Sequence, residues 1–228
     1  MTARLTIEHD TIRVGDVTLK FAHDRRFDAW MNKDEPILLL RKGPNLIEDL
    51  NSFFTSHSAE VQSIFELGIW DGGSTAFWFE YLQPDKLVAI DYLDREDDPT
   101  FHAYVERKRL SKRIRTYWRT NQADRERLRE IVLAEFDCHL DLVIDDASHE
   151  LHATKASFET LFPLLRPGGI YLVEDWSWET HPCFREEGHP WATREGLVEF
   201  VKGLVDEIPR GAVRQLSVWP GFAAIERR

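Results

Sequence analysis

Residues 61–74 read Val-Gln-Ser-Ile-Phe-Glu-Leu-Gly-Ile-Trp-Asp-Gly-Gly-Ser, an apolar run that breaks into glycines. Val61 to Leu67 has the length and composition of a buried strand, and Gly73-Ser74 opens a helix through Tyr81. A strand that passes through a glycine-rich turn into a helix is the opening unit of an open α/β sheet. The glycines permit a tight turn and let a ligand approach the backbone closely. Many α/β folds carry such a turn without a ligand, so at this point both readings stand.

The pattern continues downstream. Lys86 to Ile90, Arg113 to Tyr117, Asp141 to Ile144 and Ile170 to Val173 read as further strands. Asp97 to Leu110, Asp124 to Phe136 and Leu151 to Leu165 read as helices between them, the last stopped by Pro167-Gly168-Gly169. Trp191 to Ile208 contains another helix, and Ala212 to Val218 and Phe222 to Glu226 close the sheet. The expected fold is α/β: a Rossmann-like, mostly parallel seven-stranded sheet with helices on both faces. Upstream, Ile12, Val14, Val17, Leu19 and Phe21 alternate around Gly15-Asp16 as a β-hairpin. Pro44-Asn45 opens an amphipathic helix on Leu46, Ile47, Leu50, Phe53 and Phe54. Residues 1–60 are therefore expected to form a small hairpin-and-helix cap on a domain spanning 61–228.

The 228 residues are 43% hydrophobic and 30% charged, an ordinary globular composition. A net charge of −11 argues against nucleic acid as the main partner, because phosphate binding needs a basic face. Cys138 and Cys183 form no CxxC, which suits a reducing cytoplasm. The first ten residues carry Arg4, Glu8 and Asp10 with no apolar stretch, and no run approaches the ~18 residues of a membrane span. A soluble cytoplasmic location is expected.

Ligands of open α/β sheets bind beyond the carboxyl ends of the strands. There the chain places Asp145-Asp146-Ala147-Ser148-His149, after the fourth strand, and Glu174-Asp175, after the fifth. Clustered carboxylates suit a hard divalent cation such as Mg²⁺, and a histidine beside them suits a general base. The plainer alternatives are a helix-terminal histidine and a capping pair of acids. Adjacent strand residues point oppositely, so Asp145 is set apart from Asp146, either on the cofactor or behind the metal. Asp91 lies about twenty residues beyond the glycine turn, where a carboxylate can accept both hydroxyls of a ribose; alone, it would read as a turn acid.

Together, Glu66-x-Gly68-x-x-x-Gly72-Gly73-Ser74, Asp91, the acids after strands four and five, and Arg166-Pro167-Gly168-Gly169 resemble class I S-adenosylmethionine-dependent methyltransferases over Val61 to Arg228. Trp70 stands where the dinucleotide fingerprint has its second glycine, which counts against NAD. The tighter similarity is to metal-dependent sugar O-methyltransferases of the macrolide type and the related cephalosporin-hydroxylase-like group. That resemblance implies Asp146, Glu174 and Asp175 as Mg²⁺ ligands and His149 as the base. Ala147 replaces the glycine expected there. It further implies Glu66, Gly68, Gly72 and Ser74 around the methionine and ribose of S-adenosylmethionine, Asp91 on the ribose, and Gln122 and Asp124 near adenine. Asp145 is carried on the cofactor side.

The segment from Trp176 to Trp191 is long, aromatic and rich in breakers, and long loops in compact domains are usually functional or disordered. Trp176, Trp178, His181 and Trp191 are candidate acceptor contacts, with plain loop packing as the alternative. Arg25-Arg26 and the tract Arg107 to Arg115 read as solvated faces. The expected activity is methyl transfer from S-adenosylmethionine to a hydroxyl of an oligosaccharide, such as a methylmannoside, or of a glycosylated natural product. The expected partners are that acceptor and a second copy in a homodimer, with no nucleic acid and no membrane. Two alternatives stand beside it. One is a catechol-type O-methyltransferase, a group that places lysine at the position of His149 and asparagine at that of Asp175. The other is a catalytically idle cofactor-binding protein.

Overall fold

The computed structural model of the protein describes residues 2–22, 37–57, 60–96, 98–137, 139–189 and 191–228. Arg25-Arg26, Asp97, Cys138 and Pro190 lie outside the described residues.

A seven-stranded sheet organises the chain. Strands β5 (Ser63–Leu67), β6 (Lys86–Ile90), β7 (Ile114–Tyr117), β8 (Leu140–Asp145) and β9 (Leu165–Glu174) run parallel, and β10 (Val213–Val218) and β11 (Phe222–Arg227) close one edge antiparallel. The spatial order is β10-β11-β9-β8-β5-β6-β7. The chain leaves the central β5 in one direction to β6 and β7, then crosses to β8 on the other side. The carboxyl ends of β5 and β8 thus flank the topological switch point, where ligands of such sheets bind.

Register sets the height of the acids. Asp145 pairs with Leu67 on one side and Val173 on the other. Gly68, Asp146 and Glu174 therefore leave the sheet at one level, side by side.

Alternate residues on each strand feed opposite cores. Ile64, Leu142 and Leu172 face one cluster, and Phe65, Val143 and Val173 face the other. On the first face lie α1 (Pro44–Ser56), α2 (Gly73–Leu82) and α3 (Pro99–Arg107); the second is covered by α4 (Arg125–Phe136) and α5 (Leu151–Leu161). α5 is shorter than the sequence pattern suggests. Pro163 lacks the N–H a further α turn needs, and the chain tightens into a 3₁₀ turn over Phe162–Leu164. After the long loop, Glu179 accepts the N–H of Val198 (2.9 Å) and fixes where the short helix α6 (Val198–Gly203) begins.

The N-terminal segment is more than a hairpin. Strands β1 (Leu5–Glu8), β2 (Thr11–Val14), β3 (Val17–Phe21) and β4 (Leu39–Leu40) form their own sheet, with β4 parallel to β3. This sheet and α1 cover α2, whose Ala76, Phe77, Trp78, Phe79 and Tyr81 are all buried. A helix apolar on every side needs partners on every side. Ile12, Leu19, Ile47 and Leu50 from the N-terminal segment share one core with Phe77, Trp78, Ile64 and Leu142, so packing does not break at residue 60. The closest approach is at Gly73, where a Cβ would stand 1.8 Å from the Leu39 carbonyl oxygen. β4 thus lies directly against the start of α2, and the residues after it reach the carboxyl end of the large sheet.

Candidate active site

A cavity of about 730 Å³ opens over the switch point. Its walls are the turn after β5, the ends of β6 and β8, Thr120 to Ala123 after β7, Asp175 after β9, Trp191 and Arg194 from the long loop, and Leu39, Arg41 and Lys42 of the N-terminal segment.

The turn after β5 is held from beneath. Ile69 N–H and Trp70 N–H both donate to Asp91 Oδ2 (2.8 Å each), and Leu93 N–H donates to Oδ1 (2.7 Å). Asp91 therefore braces the glycine turn and also lines the cavity, where Oδ1 keeps a lone pair for a ligand. Gly68 has a φ of +99° and passes so close to the β8 loop that a Cβ would lie 2.2 Å from the Asp146 carbonyl oxygen. Trp70, also left-handed (φ 56°), is flanked by the guanidinium groups of Arg41 and Arg95 at 4.8 and 4.7 Å from the ring centre.

Several residues expected at the cofactor do not form the cavity wall. Glu66 is fully buried and accepts from Thr75 Oγ1 (2.6 Å); burial pushes its carboxyl up to about 7 against the Thr75 and Ser74 hydroxyls. Gly72 lies against the Phe101 ring. Asp124 caps α4 by accepting from Arg127 N–H. Asp145 sits behind the wall, where Tyr171 Oη (2.7 Å), Ser157 Oγ (2.9 Å) and Gln122 Nε2 (3.1 Å) all donate to it. Burial raises the Asp145 carboxyl above its ordinary range against those three donors. Gln122, Gly68, Ser74 and Asp91 do line the cavity. Gln122 spans both roles, because its Oε1 accepts the Ser148 N–H (2.8 Å) and so ties the β8 loop to the buried network.

Asp146, His149 and Asp175 converge. One ligand atom from each lies within 4.8 Å of the others, and His149 Nε2 is 3.7 Å from Asp146 Oδ1. His149 and Asp175 both hold positive φ (54° and 51°), the kind of backbone strain that recurs at functional sites. Trp178 Nε1 donates to the His149 carbonyl (2.9 Å) and fixes the left-handed residue from outside. The two carboxylates offer the oxygen ligands that a hard divalent ion takes, with the imidazole beside them. The neighbouring Glu174 adds a buried oxygen, Oε1, that has no hydrogen-bond partner among the described residues.

Glu174 itself does not join that trio. It is 1% exposed, and its Oε2 accepts from Lys42 Nζ at 2.6 Å, while the same ammonium donates to Asp146 Oδ2 at 2.5 Å. Burial alone would lower the lysine, but the two carboxylates outweigh it and raise Lys42 well above its ordinary value. Glu174 is pushed up by burial and by the charge of Asp146. Lys42 is the residue that motif reading misses. The signal was present as alternation: Leu38, Leu40 and Lys42 are all buried, with the residues between them less so.

In the long loop, Trp191 lines the cavity with its ring centre 5.5 Å from the His149 ring and stacks on Phe184. Trp178 is buried beneath it, Trp176 Nε1 donates to the Trp219 carbonyl (2.8 Å), and His181 is exposed. Of the four aromatic candidates, the structure brings Trp191 alone to the cavity wall.

A family model described as a methyltransferase domain matches residues 65–176, the span from β5 to just past Asp175. A Streptomyces olivaceus protein, 8-demethyl-8-alpha-L-rhamnosyl tetracenomycin-C 2'-O-methyltransferase, is 32% identical over 174 residues, covering 69% of this chain and 41% of its own length. Residues 65–176 of this chain are thus a methyltransferase domain. Demethylmacrocin O-methyltransferase of Streptomyces fradiae is 29% identical over 182 residues, 75% of this chain and 42% of that one. Among solved structures, MycE of the mycinamycin biosynthetic pathway, in complex with Mg, SAH and mycinamycin VI, superposes with a TM-score of 0.61 at 26% identity, covering 79% of this chain and 48% of MycE. The chain spans about two fifths of the length of the curated relatives it matches. No described helix is long and apolar enough to cross a membrane.

Proposed function

We propose that this methyltransferase moves the methyl group of S-adenosylmethionine to a hydroxyl of a sugar, in an oligosaccharide or a glycosylated small molecule, with Mg²⁺ and with His149 as general base. The observation that carries this reading is the convergence of Asp146, His149 and Asp175 on the cavity that also faces the Gly68–Ser74 turn. Its volume of about 730 Å³ is of the size that holds a small-molecule ligand. The relatives support the class of acceptor: one is named for a rhamnosyl tetracenomycin, and MycE was solved with Mg, SAH and mycinamycin VI.

The chemistry follows from the residues. A sugar hydroxyl is a weak nucleophile until its proton leaves. Mg²⁺ bound at Asp146 and Asp175 would supply charge stabilisation to the oxygen that loses it. His149 Nε2 faces the same point and takes the proton, and Asp146 Oδ1 at 3.7 Å stabilises the resulting imidazolium. Asp91 and the backbone of the β5 turn seat the nucleoside end of the donor. Trp191 offers a flat apolar face to a sugar ring beside His149.

The test is methyl transfer from S-adenosylmethionine to a panel of mono- and disaccharides and catechols, with Mg²⁺ and with EDTA. Sugar methylation that needs Mg²⁺ is expected. Turnover of catechols alone removes the sugar reading, and activity that survives EDTA removes the metal.

A further inference from the structure

The long loop after β9 carries Trp191 and Arg194 to the cavity, and one side chain gathers its two limbs. Arg185 Nη1 donates to the carbonyls of Ala192 (3.2 Å) and Arg194 (2.9 Å), on the limb that bears Trp191. Its Nε donates to the Glu179 carbonyl (3.4 Å) and its Nη2 to Glu179 Oε2 (2.9 Å), on the other limb. The guanidinium carbon lies over the Trp178 ring, 4.9 Å from its centre. Glu179 is fixed in turn: its Oε1 accepts the Val198 N–H, and its side chain lies against Gly196, where a Cβ would stand 2.4 Å from Glu179 Cδ. The Arg185 side chain is 36% exposed, so its ion pair with Glu179 contributes little by itself. Geometry sets it apart. A planar fork with five donors meets three carbonyls and a carboxylate at once, which an ammonium on a flexible stem does not reproduce.

The gathered loop grips the segment that holds the base. Trp178 Nε1 donates to the His149 carbonyl (2.9 Å), Arg194 Nη1 meets Glu150 Oε1 at 2.8 Å, and Leu151 N–H donates to the Glu195 carbonyl (3.1 Å). Trp191 meets Trp178 edge to face at 5.1 Å and stands 5.5 Å from the His149 ring. We propose that Arg185 is the positioning residue of the acceptor wall: its fork closes the two limbs on each other and so sets where Trp191 and Arg194 stand beside His149. This rests on the acceptor reading above. Arg185 does not line the cavity and acts only through the main chain at Ala192 and Arg194 and through the Trp178 ring. With the fork removed, the wall must be ordered when the acceptor binds, which weakens binding. The donor side, at Gly68, Asp91 and Gln122, shares none of these contacts. Trp178 remains buried and bonded to His149, so the base keeps its place and the loss falls on acceptor binding.

The experiment compares wild type, Arg185→Lys and Arg185→Met as full chains. Amide hydrogen exchange is read with S-adenosylhomocysteine bound and no acceptor, so it does not depend on which acceptor is used. In both variants, exchange across 191–197 is expected to quicken about fivefold or more, with 63–75 unchanged. Kinetics then use whichever sugar or catechol of the panel the wild type methylates. Acceptor KM is expected to rise about fivefold or more, with kcat and S-adenosylhomocysteine affinity held within about twofold. Lysine keeps the charge and loses the fork, so it is expected to behave as methionine does. Unchanged exchange across 191–197, unchanged acceptor KM, or full rescue by Arg185→Lys overturns the proposal. An equal loss of S-adenosylhomocysteine affinity overturns it too, because that marks a general loosening of the fold. If Arg185→Met does not fold, Arg185→Lys decides the matter. Turnover of catechols alone removes the sugar reading, and the Arg185 comparison is then decided on the catechol; turnover of no acceptor removes both.

Discussion

Replacing Tyr171 with phenylalanine removes one oxygen from the centre of the sheet. The Tyr171 hydroxyl donates to Asp145 Oδ2 at 2.7 Å and lies 3.0 Å from Ser157 Oγ, and both partners are buried. Burial and the charge of Asp145 raise the phenol well above its ordinary value, so it remains a donor at any working pH. A hydrogen bond to a buried charged group contributes about 1.5–3 kcal/mol. Ser157 and Gln122 still serve Asp145 in the variant, so a loss of about 2 kcal/mol is expected, or roughly 4–8 °C in Tm for a chain of this size. The loss depends on pH in a definite direction. The Asp145 carboxyl titrates above its unfolded value because burial disfavours its charge, so its ionisation costs stability as pH rises. Losing the tyrosine donor raises that carboxyl further. The penalty therefore grows as the native carboxyl ionises with rising pH, and narrows at lower pH, where the carboxyl is protonated in the native state. Urea unfolding at several pH values reads the difference from the midpoint at constant slope. A penalty under about 0.5 kcal/mol, or one of equal size at pH 8 and about pH 4.5, would refute the assignment of Asp145 as a charge held by its donors.

Three further outcomes are expected. His149→Ala should lower kcat by roughly 10²–10⁴ while leaving binding of S-adenosylhomocysteine intact, because the imidazole lies on the acceptor side; single-turnover kinetics and calorimetry separate the two. Gly68→Ala should destabilise the fold by more than about 2 kcal/mol and abolish cofactor binding, since its positive φ and its approach to the Asp146 carbonyl leave no room for a Cβ. Leu50→Ala, on the fully buried face of α1, should cost about 2–5 kcal/mol within a single cooperative transition. Two separate melting steps would show instead that residues 1–60 unfold on their own.

The large sheet was legible in the sequence because buried parallel strands bounded by glycines and caps leave a strong local pattern. Asp146, His149 and Asp175 could be read for the same reason, since they follow directly from strand ends at matching register. Local pattern does not say which way a residue beyond a strand turns. Asp145 and Glu174 each stand beside a member of the trio in sequence, and strand alternation carries both into buried networks instead. Asp124 has the sequence position of an adenine contact and the geometry of an ordinary helix cap. The loop aromatics show a similar limit: Trp176 and Trp178 spend their N–H groups on backbone carbonyls, and only the packed loop reveals that Trp191 is the one that faces inward. Lys42 was hidden because Arg41-Lys42-Gly43-Pro44 looks like a charged surface turn. Its role depends on β4 pressing against Gly73, a contact no local pattern announces.

The bond from Lys42 to Glu174 joins residues 132 positions apart, and that from Lys42 to Asp146 joins residues 104 apart. On a ribosome, the lysine leaves the exit tunnel long before either carboxylate has been translated. Closing loops of that length is slow relative to local helix and hairpin formation. The ammonium must therefore stay hydrated until β8 and β9 have been added to the sheet, and the charged centre of the molecule is among the last parts to form. A growing chain halted before Glu174 would carry an N-terminal sheet and a glycine turn, but no complete seat for its own lysine.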